Sequence, residues 1–97
     1  MLEREVEDFL HACVKAREGV ARYISYRGAR GCPDCLFVLP FTGLHIAELK
    51  RPKGGVYSEL QLKEHETLRK AGADVLKFHT KEQIAEWFAD YDHHWDL

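Results

Sequence analysis

The fold of this 97-residue chain is decided by one stretch, GCPDCLFVLPFTGLHIAELK, which covers residues 31–50. Its two apolar runs, CLFVL and LHIAEL, are typical of β-strands, and the letters PFTG between them carry turn signals, so the stretch predicts a hairpin. A hairpin that is symmetric about Phe41 places Asp34 opposite Glu48, where facing Cβ atoms lie roughly 4.5–5.5 Å apart. A one-residue shift of the register would destroy this arrangement.

The acid near the end of the second strand is followed two residues later by a lysine. Because side chains alternate along a strand, Glu48 and Lys50 point to one face while Leu49 points into a core. Two carboxylates and an ammonium brought together can hold a divalent metal, at about 2.0–2.1 Å per oxygen, and activate a water against a phosphodiester. The alternative is an exposed strand end with a solvated Glu and Lys. The Pro33-Asp34 dipeptide one hairpin upstream favours the metal site.

Further residues complete a recognisable pattern, namely Gly31, Pro33, Asp34, Glu48, Leu49, Lys50, Gly54, Gln61 and the stretch LRKAGADV at 68–75. The pattern resembles the PD-(D/E)xK nucleases, and within them the VRR-NUC domain of the small stand-alone phage and bacterial type. The resemblance extends from about Leu2 to Phe88, and Cys32 departs from it where the family usually has an apolar residue. It implies a restriction-endonuclease-like core and a metal-dependent, structure-selective DNA endonuclease, similar to homodimeric resolvases of Holliday junctions.

The expected catalytic residues are Asp34, Glu48, Lys50, Gln61 and Glu3. Mg²⁺ or Mn²⁺ is the expected cofactor, held by Asp34, Glu48 and Glu3 with the backbone carbonyl of Leu49. Lys50 is expected to orient the attacking water and to offset charge in the transition state.

Two of these residues have a second explanation. Glu3 is better aimed at the sheet than Glu5 because it lies about 60° from the inward-facing Val6 on a helical wheel. It matches the N-terminal acid of the family, but acids near a helix start also favour the positive end of the helix dipole. Gln61 matches the family too, although Ser58 and Gln61 alone form a capping box.

The charge distribution along the chain predicts where DNA binds. The whole chain carries a net charge of −2, but residues 22–53 carry +4, against −2 before and −4 after them. The phosphate backbone is therefore expected near the site. The expected DNA-binding residues are Arg27, Arg30, Arg51 and Lys53. A loop with scattered, solvated arginines is the alternative.

The remaining patterns predict a single domain of the α/β (α+β) class with a mixed central sheet flanked by helices, in the order αβββαβα. The third and fourth strands are expected to be parallel because a helix crosses over between them. Outside the hairpin, the predicted helices cover residues 2–17, 58–71 and 80–91, and the predicted strands cover residues 20–25 and 73–78.

A rival interpretation comes from the Cys32-Pro33-Asp34-Cys35 segment. With His93 and His94 it could bind zinc, as an interaction protein would, but no second Cys pair is present and Cys35 should point into the core. Two reduced cysteines of a cytosolic protein are the simpler explanation. The other histidines, His11, His45, His65 and His79, are expected to be surface or partly buried polar residues. Trp87, Phe88 and Tyr91 are expected in the core or a dimer contact, and the acids and histidines after them in a solvated tail.

Three functions remain open from the sequence. The first is the junction-cutting endonuclease; the second is a flap or single-strand nuclease; the third is a catalytically silent module that binds branched DNA. The acidic N-terminus carries no secretory signal, and no apolar run approaches 20 residues, so a cytoplasmic protein of a bacterium or phage-infected cell, without a membrane partner, is expected.

Overall fold

A computed structural model describes residues 3–50 and 57–95, with the side chain of Glu3 left out of the description. It confirms the predicted order of helices and strands. The elements are α1 (Glu3–Ala16), β1 (Val20–Tyr23), β2 (Cys35–Leu39), β3 (Gly43–Leu49), α2 (Glu59–Lys70), β4 (Val75–Phe78) and α3 (Lys81–Trp95).

The four strands form one mixed sheet in the order β1-β2-β3-β4. The central hairpin has the predicted register, since Cys35 pairs with Ala47 and Leu39 pairs with Gly43, so the two strands are symmetric about Phe41. Both Phe41 and Gly43 have positive φ angles, which a tight two-strand connection requires. β4 runs parallel to β3, as the crossover through α2 predicted.

One face of the sheet carries the apolar core. α1 and α3 pack on this face, and Val6, Leu10 and Val14 of α1 are all fully buried. Phe88 of α3 is 1% exposed and lies 6.1 Å from Phe37, measured between ring centroids. The core therefore fixes the backbone of β2 and β3 from one side.

The opposite face of the sheet is only partly covered. α2 lies over β3 and β4, where its fully buried His65 reaches Glu48. Val20, Val38 and Leu44 occupy neighbouring positions on β1, β2 and β3 and are 45%, 40% and 56% exposed. This sheet face thus has a buried part beneath α2 and an exposed apolar row, which consists of these three residues.

The structure corrects the predicted ends of several elements. β1 ends at Tyr23 and β4 begins at Val75, two residues inside each prediction. α3 continues to Trp95, beyond its predicted end at residue 91, and the solvated tail is confirmed in exposure for Asp90, His93 and His94 but is wrong for the half-buried Asp92. Asp92 receives two hydrogen bonds of 2.6 Å from Arg17 of α1, which hold the last turns of α3 against α1.

No helix in the described part of the chain is long and apolar enough to cross a membrane.

Candidate active site

The predicted site lies where β2 begins and β3 ends, on the sheet face that α2 covers. Asp34 directly precedes β2, and continuing the hairpin register by one residue places it opposite Glu48. Its carboxylate oxygen Oδ2 accepts a hydrogen bond of 2.7 Å from the backbone N–H of Leu49. The Asp34 side chain is therefore held against β3, while remaining partly exposed.

Glu48 is fully buried, with 0% of its surface exposed. Its Oε1 atom lies 3.1 Å from Nε2 of His65, which is itself fully buried in the middle of α2. Burial, followed by the positive charges of Lys77 and Arg69, lowers the pKa of His65. A neutral imidazole can donate its Nε2 hydrogen to an ionised carboxylate, which accepts only.

Two lysines approach one aromatic ring beside this pair. The Nζ atoms of Lys50 and Lys77 lie 5.8 Å and 5.0 Å from the centroid of the Tyr57 ring. Lys77 belongs to β4, where it pairs with Glu48 across the parallel ladder and so shares its face of the sheet. The centroid of the Tyr57 ring lies 5.9 Å from that of His65. The site therefore contains two ammonium groups, of which the sequence predicted one.

Gln61 occupies the first turn of α2 and completes a capping box. Its backbone N–H donates to the Ser58 hydroxyl, and its side-chain Oε1 accepts from the Ser58 backbone N–H at 2.9 Å. The capping box is one of the two explanations that the sequence allowed for Gln61, and it accounts for the polar side chains of both Ser58 and Gln61. Gln61 also lies one helical turn before His65, on the same side of the helix.

The N-terminal half of α1 contacts the end of β1 that pairs with the start of β2. Glu7 accepts a hydrogen bond of 3.4 Å from the hydroxyl of Tyr23, and Tyr23 pairs with Cys35, the neighbour of Asp34. The backbone of Glu3 lies one turn before Glu7, so the helix brings position 3 to the same end of the sheet.

Two of the four predicted DNA-binding residues, Arg27 and Arg30, are exposed on the loop between β1 and β2. Tyr26 anchors the start of this loop, because its hydroxyl donates to Glu64 of α2 at 2.5 Å. Gly31 contacts the backbone of α2 so closely that a Cβ atom there would collide with the main chain of Leu60. Arg51 and Lys53, the other two predicted residues, lie outside the described residues.

Sequence reasoning missed the roles of two histidines. His65 and His45 are 0% and 7% exposed, against the expectation of surface or partly buried positions for the scattered histidines. At the far end of β3, His45 lies within hydrogen-bond distance of Asp74, 2.5 Å through Nδ1, and of Thr42, 2.8 Å through Nε2. For His65 a signal existed, since Gln61, His65 and Leu68 recur at helical spacing.

The cysteine segment is not arranged as a zinc site in the described residues. Cys35 is fully buried in the apolar core, and burial raises the pKa of its thiol to about 12. Across residues 3–50 and 57–95, no three His, Cys, Asp or Glu side chains are grouped as metal ligands. Asp34 and Glu48 alone supply two side chains, which is fewer than the three that such a group needs. The third predicted acid, Glu3, has a side chain outside the description.

The oxygen donors at the site nevertheless fit a hard divalent cation. Asp34 and Glu48 supply carboxylates, which suit Mg²⁺ and Mn²⁺. Continuing the hairpin register by two residues places Pro33 opposite Leu49, and proline has no N–H to donate to a facing carbonyl. The ladder therefore offers no donor from position 33 to the Leu49 carbonyl, which is the predicted backbone ligand.

A search of solved structures found a protein with the same fold over nearly its whole length. That protein is described as a "VRR_NUC domain" and is 31% identical to this chain. The match covers 92% of this chain and 96% of that one, with a TM-score of 0.84. Scans against protein-family models and against curated proteins gave no match.

Proposed function

The chain belongs to the VRR-NUC family of nuclease domains, and we propose that it is a divalent-metal-dependent endonuclease that cuts branched DNA as a homodimer. The observation that carries the proposal is the pairing of Asp34 with Glu48 at one end of the hairpin, with Lys50 following on the same strand. The fold supports a nuclease in general. The dependence on a metal, the preference for branched DNA and the dimer go beyond this support and belong to the proposal.

Asp34 and Glu48 would hold the cation, together with the Leu49 carbonyl and with Glu3 as a further carboxylate. A bound Mg²⁺ or Mn²⁺ would supply an activated water and charge neutralisation for phosphodiester hydrolysis. Lys50 would orient the attacking water and offset charge in the transition state. Gln61 is a candidate for phosphate contact, although its capping role already accounts for its side-chain oxygen.

The DNA backbone would run along the loop between β1 and β2, which carries the exposed Arg27 and Arg30. The contacts between this loop and α2, through Tyr26 and Gly31, support a fixed position for these charges beside the site. Phosphate contacts give affinity without direct sequence information. We therefore expect recognition of DNA shape, with Arg51 and Lys53 adding to the same basic surface.

The exposed apolar row of Val20, Val38 and Leu44 is our candidate for the dimer contact. A single chain of this size has too little surface to surround a four-way junction, and a two-fold dimer would present two matched sites to two matched strands. Apolar residues that lie side by side on three neighbouring strands suit a self-complementary contact better than scattered ones do.

The first test is a cleavage assay with Mg²⁺, Mn²⁺ or excess chelator. We expect Asp34→Ala and Glu48→Ala to abolish cleavage and weaken metal binding, and Lys50→Ala to abolish cleavage with metal affinity largely retained. Removing one group that stabilises developing charge costs on the order of 10²–10³ in rate. Full cleavage in chelator, or by the Lys50→Ala protein, would contradict the mechanism.

The second test compares four-way junctions, flaps, splayed arms and linear duplex. Junctions should be cut by paired, symmetric nicks. Cleavage of flaps or single strands with junctions left intact would instead indicate the flap nuclease, and tight junction binding without any cleavage would indicate a silent binding module.

Neutralising Arg27, Arg30, Arg51 and Lys53 should lower the slope of log affinity against log salt by about 0.9 for each DNA phosphate that the variant no longer neutralises.

The dimer is tested by analytical ultracentrifugation of Leu44→Lys and of Leu62→Lys, a control with a 43% exposed leucine on α2. The wild type and the control should sediment as dimers at micromolar concentration, whereas Leu44→Lys should sediment as a monomer and lose paired nicking. A wild-type monomer that is fully active on junctions would refute the dimer, and a dimeric Leu44→Lys protein would place the contact elsewhere.

A further inference from the structure

The inner face of α2 is unusually polar for a helix that packs on a sheet. Its buried or half-buried positions are Gln61, Glu64, His65 and Leu68. Leu60 and Leu62 lie on the two flanks of this face, about 200° apart around the helix, and are 46% and 43% exposed. Apolar residues normally occupy the inward positions of such a helix, and Leu68 is the apolar residue among these four, so the polar inner face requires a reason within the space between α2 and the sheet.

His65 makes its contact with Glu48 at an energetic cost. The imidazole is fully buried, and Nδ1 has no hydrogen-bond partner among the described residues. An unsatisfied buried acceptor is destabilising, and a leucine of similar size would bury apolar surface without it. The polar contact that the structure gives this ring is the one between Nε2 and Oε1 of Glu48.

We propose that His65 is a positioning residue, which fixes the carboxylate of Glu48 in the orientation that binds the catalytic cation. A glutamate side chain has three rotatable bonds, so a carboxylate without a fixed contact can turn away from the cation. A donor on one oxygen restricts that rotation and leaves the carboxylate ionised. Groups that hold metal ligands in this way contribute about 10–100-fold to metal affinity in other proteins.

The inference rests on the proposed function, because it presumes that Glu48 is a metal ligand. It adds a residue that would not touch the metal, the water or the DNA. It also accounts for the polar inner face of α2, since the helix must present a donor at this point and not an apolar side chain.

The test uses calorimetric Mn²⁺ titration, single-turnover cleavage and metal-free melting on four proteins. These are the wild type, His65→Leu, His65→Gln and a control, His45→Leu. The control removes another buried histidine that contacts a carboxylate, at the opposite end of β3. His65→Leu should weaken Mn²⁺ binding about 10–100-fold and slow cleavage, and His65→Gln, whose amide can also donate, should restore both to within a few-fold. His45→Leu should lower the melting temperature and leave Mn²⁺ affinity unchanged.

Two results would overturn the inference: unchanged Mn²⁺ affinity in His65→Leu, or a His65→Gln protein as weak as His65→Leu. If His65→Leu does not fold, His65→Asn replaces it. The asparagine side chain is one methylene shorter than that of glutamine, so its amide should not hold Glu48 as well, and the His65→Asn protein should bind Mn²⁺ more weakly than the His65→Gln protein. Glu48→Gln distinguishes a failure of the proposed function from a failure of the role of His65. Wild-type Mn²⁺ binding and cleavage by Glu48→Gln would refute the proposed function itself, whereas loss of both with a normal His65→Leu protein would refute only the role of His65.

Discussion

Replacing Gly31 by alanine should destabilise the protein far more than the same change at Gly28, although both glycines lie in the loop that carries the predicted DNA-binding arginines. The two positions have nearly the same φ angle, +84° at Gly31 and +82° at Gly28. At Gly28 an added Cβ would meet no atom within 4 Å. At Gly31 it would lie 2.8 Å from the carbonyl carbon of Leu60 and 3.1 Å from Cβ of Glu64, and it would collide with the Leu60 oxygen.

The difference between the two variants isolates the collision. A positive φ costs an alanine roughly 1 kcal/mol of stability, and this cost applies to both. Overpacking against a helix backbone adds about 1–3 kcal/mol, and this cost applies to Gly31→Ala alone. The expected losses are therefore about 1 kcal/mol for Gly28→Ala and about 2–4 kcal/mol for Gly31→Ala, since the two costs add.

Thermal melting is the direct assay. Each kcal/mol shifts the midpoint by about 4–8 °C in a domain of this size, so Gly31→Ala should melt at least several degrees below Gly28→Ala. If the loop lies on α2 as described, Gly31→Ala should also weaken DNA binding, because Arg30 and Asp34 would move with the loop. Equal melting temperatures for the two variants would refute the close contact between Gly31 and α2.

Three further predictions concern other contacts. Arg17→Met should cost about 1 kcal/mol of unfolding free energy at pH 7. Because the hydrogen bond from Arg17 lowers the pKa of Asp92, the part of this difference that the ion pair contributes should be lost as pH falls through that lowered pKa, which leaves the contacts of Arg17 with the Cys13 carbonyl and the Phe88 ring. Urea titrations at several pH values would measure the change, and a difference that does not shrink at low pH would contradict the pair. Cys35, with a pKa of about 12 caused by burial, should resist alkylation at pH 8 in the folded protein but not in urea, as mass spectrometry can check; equal rates would contradict its burial. Tyr26→Phe should lose about 1 kcal/mol with its hydrogen bond to Glu64, and denaturant midpoints identical to wild type would argue against that bond.

Much of the fold could be predicted from local patterns. The hairpin register followed from two alternating apolar runs about a short turn, and the structure has Cys35 opposite Ala47 accordingly. The start of α2 followed from the capping box of Ser58 and Gln61, which depends on residues only three apart. These features are set by neighbours in sequence, so the sequence alone contains enough information to place them.

The contacts around Glu48 could not be predicted in the same way. Lys77 reaches this face only because β4 pairs in parallel with β3 in one particular register, which depends on how α2 crosses the sheet. Asp92 was expected in solvent because its neighbours are polar, yet it pairs with Arg17, which is 75 residues away in the chain. Both outcomes depend on tertiary packing, for which a charged residue gives no periodic signal.

The orientation of α2 is the most informative of these surprises. Leu60 and Leu62 lie about 200° apart around the helix, so no single rotation buries both, but turning Leu60 toward the sheet would replace part of the polar inner face by apolar surface. The structure instead leaves Leu60 46% exposed and buries His65 against Glu48, although burying polar side chains is unfavourable unless hydrogen bonds compensate for it. The capping box and the contact between Gly31 and Leu60 hold the helix in this orientation. An arrangement that is poorer for packing but places a hydrogen-bond donor on a buried carboxylate is the one that our proposal of ion binding between α2 and the sheet requires.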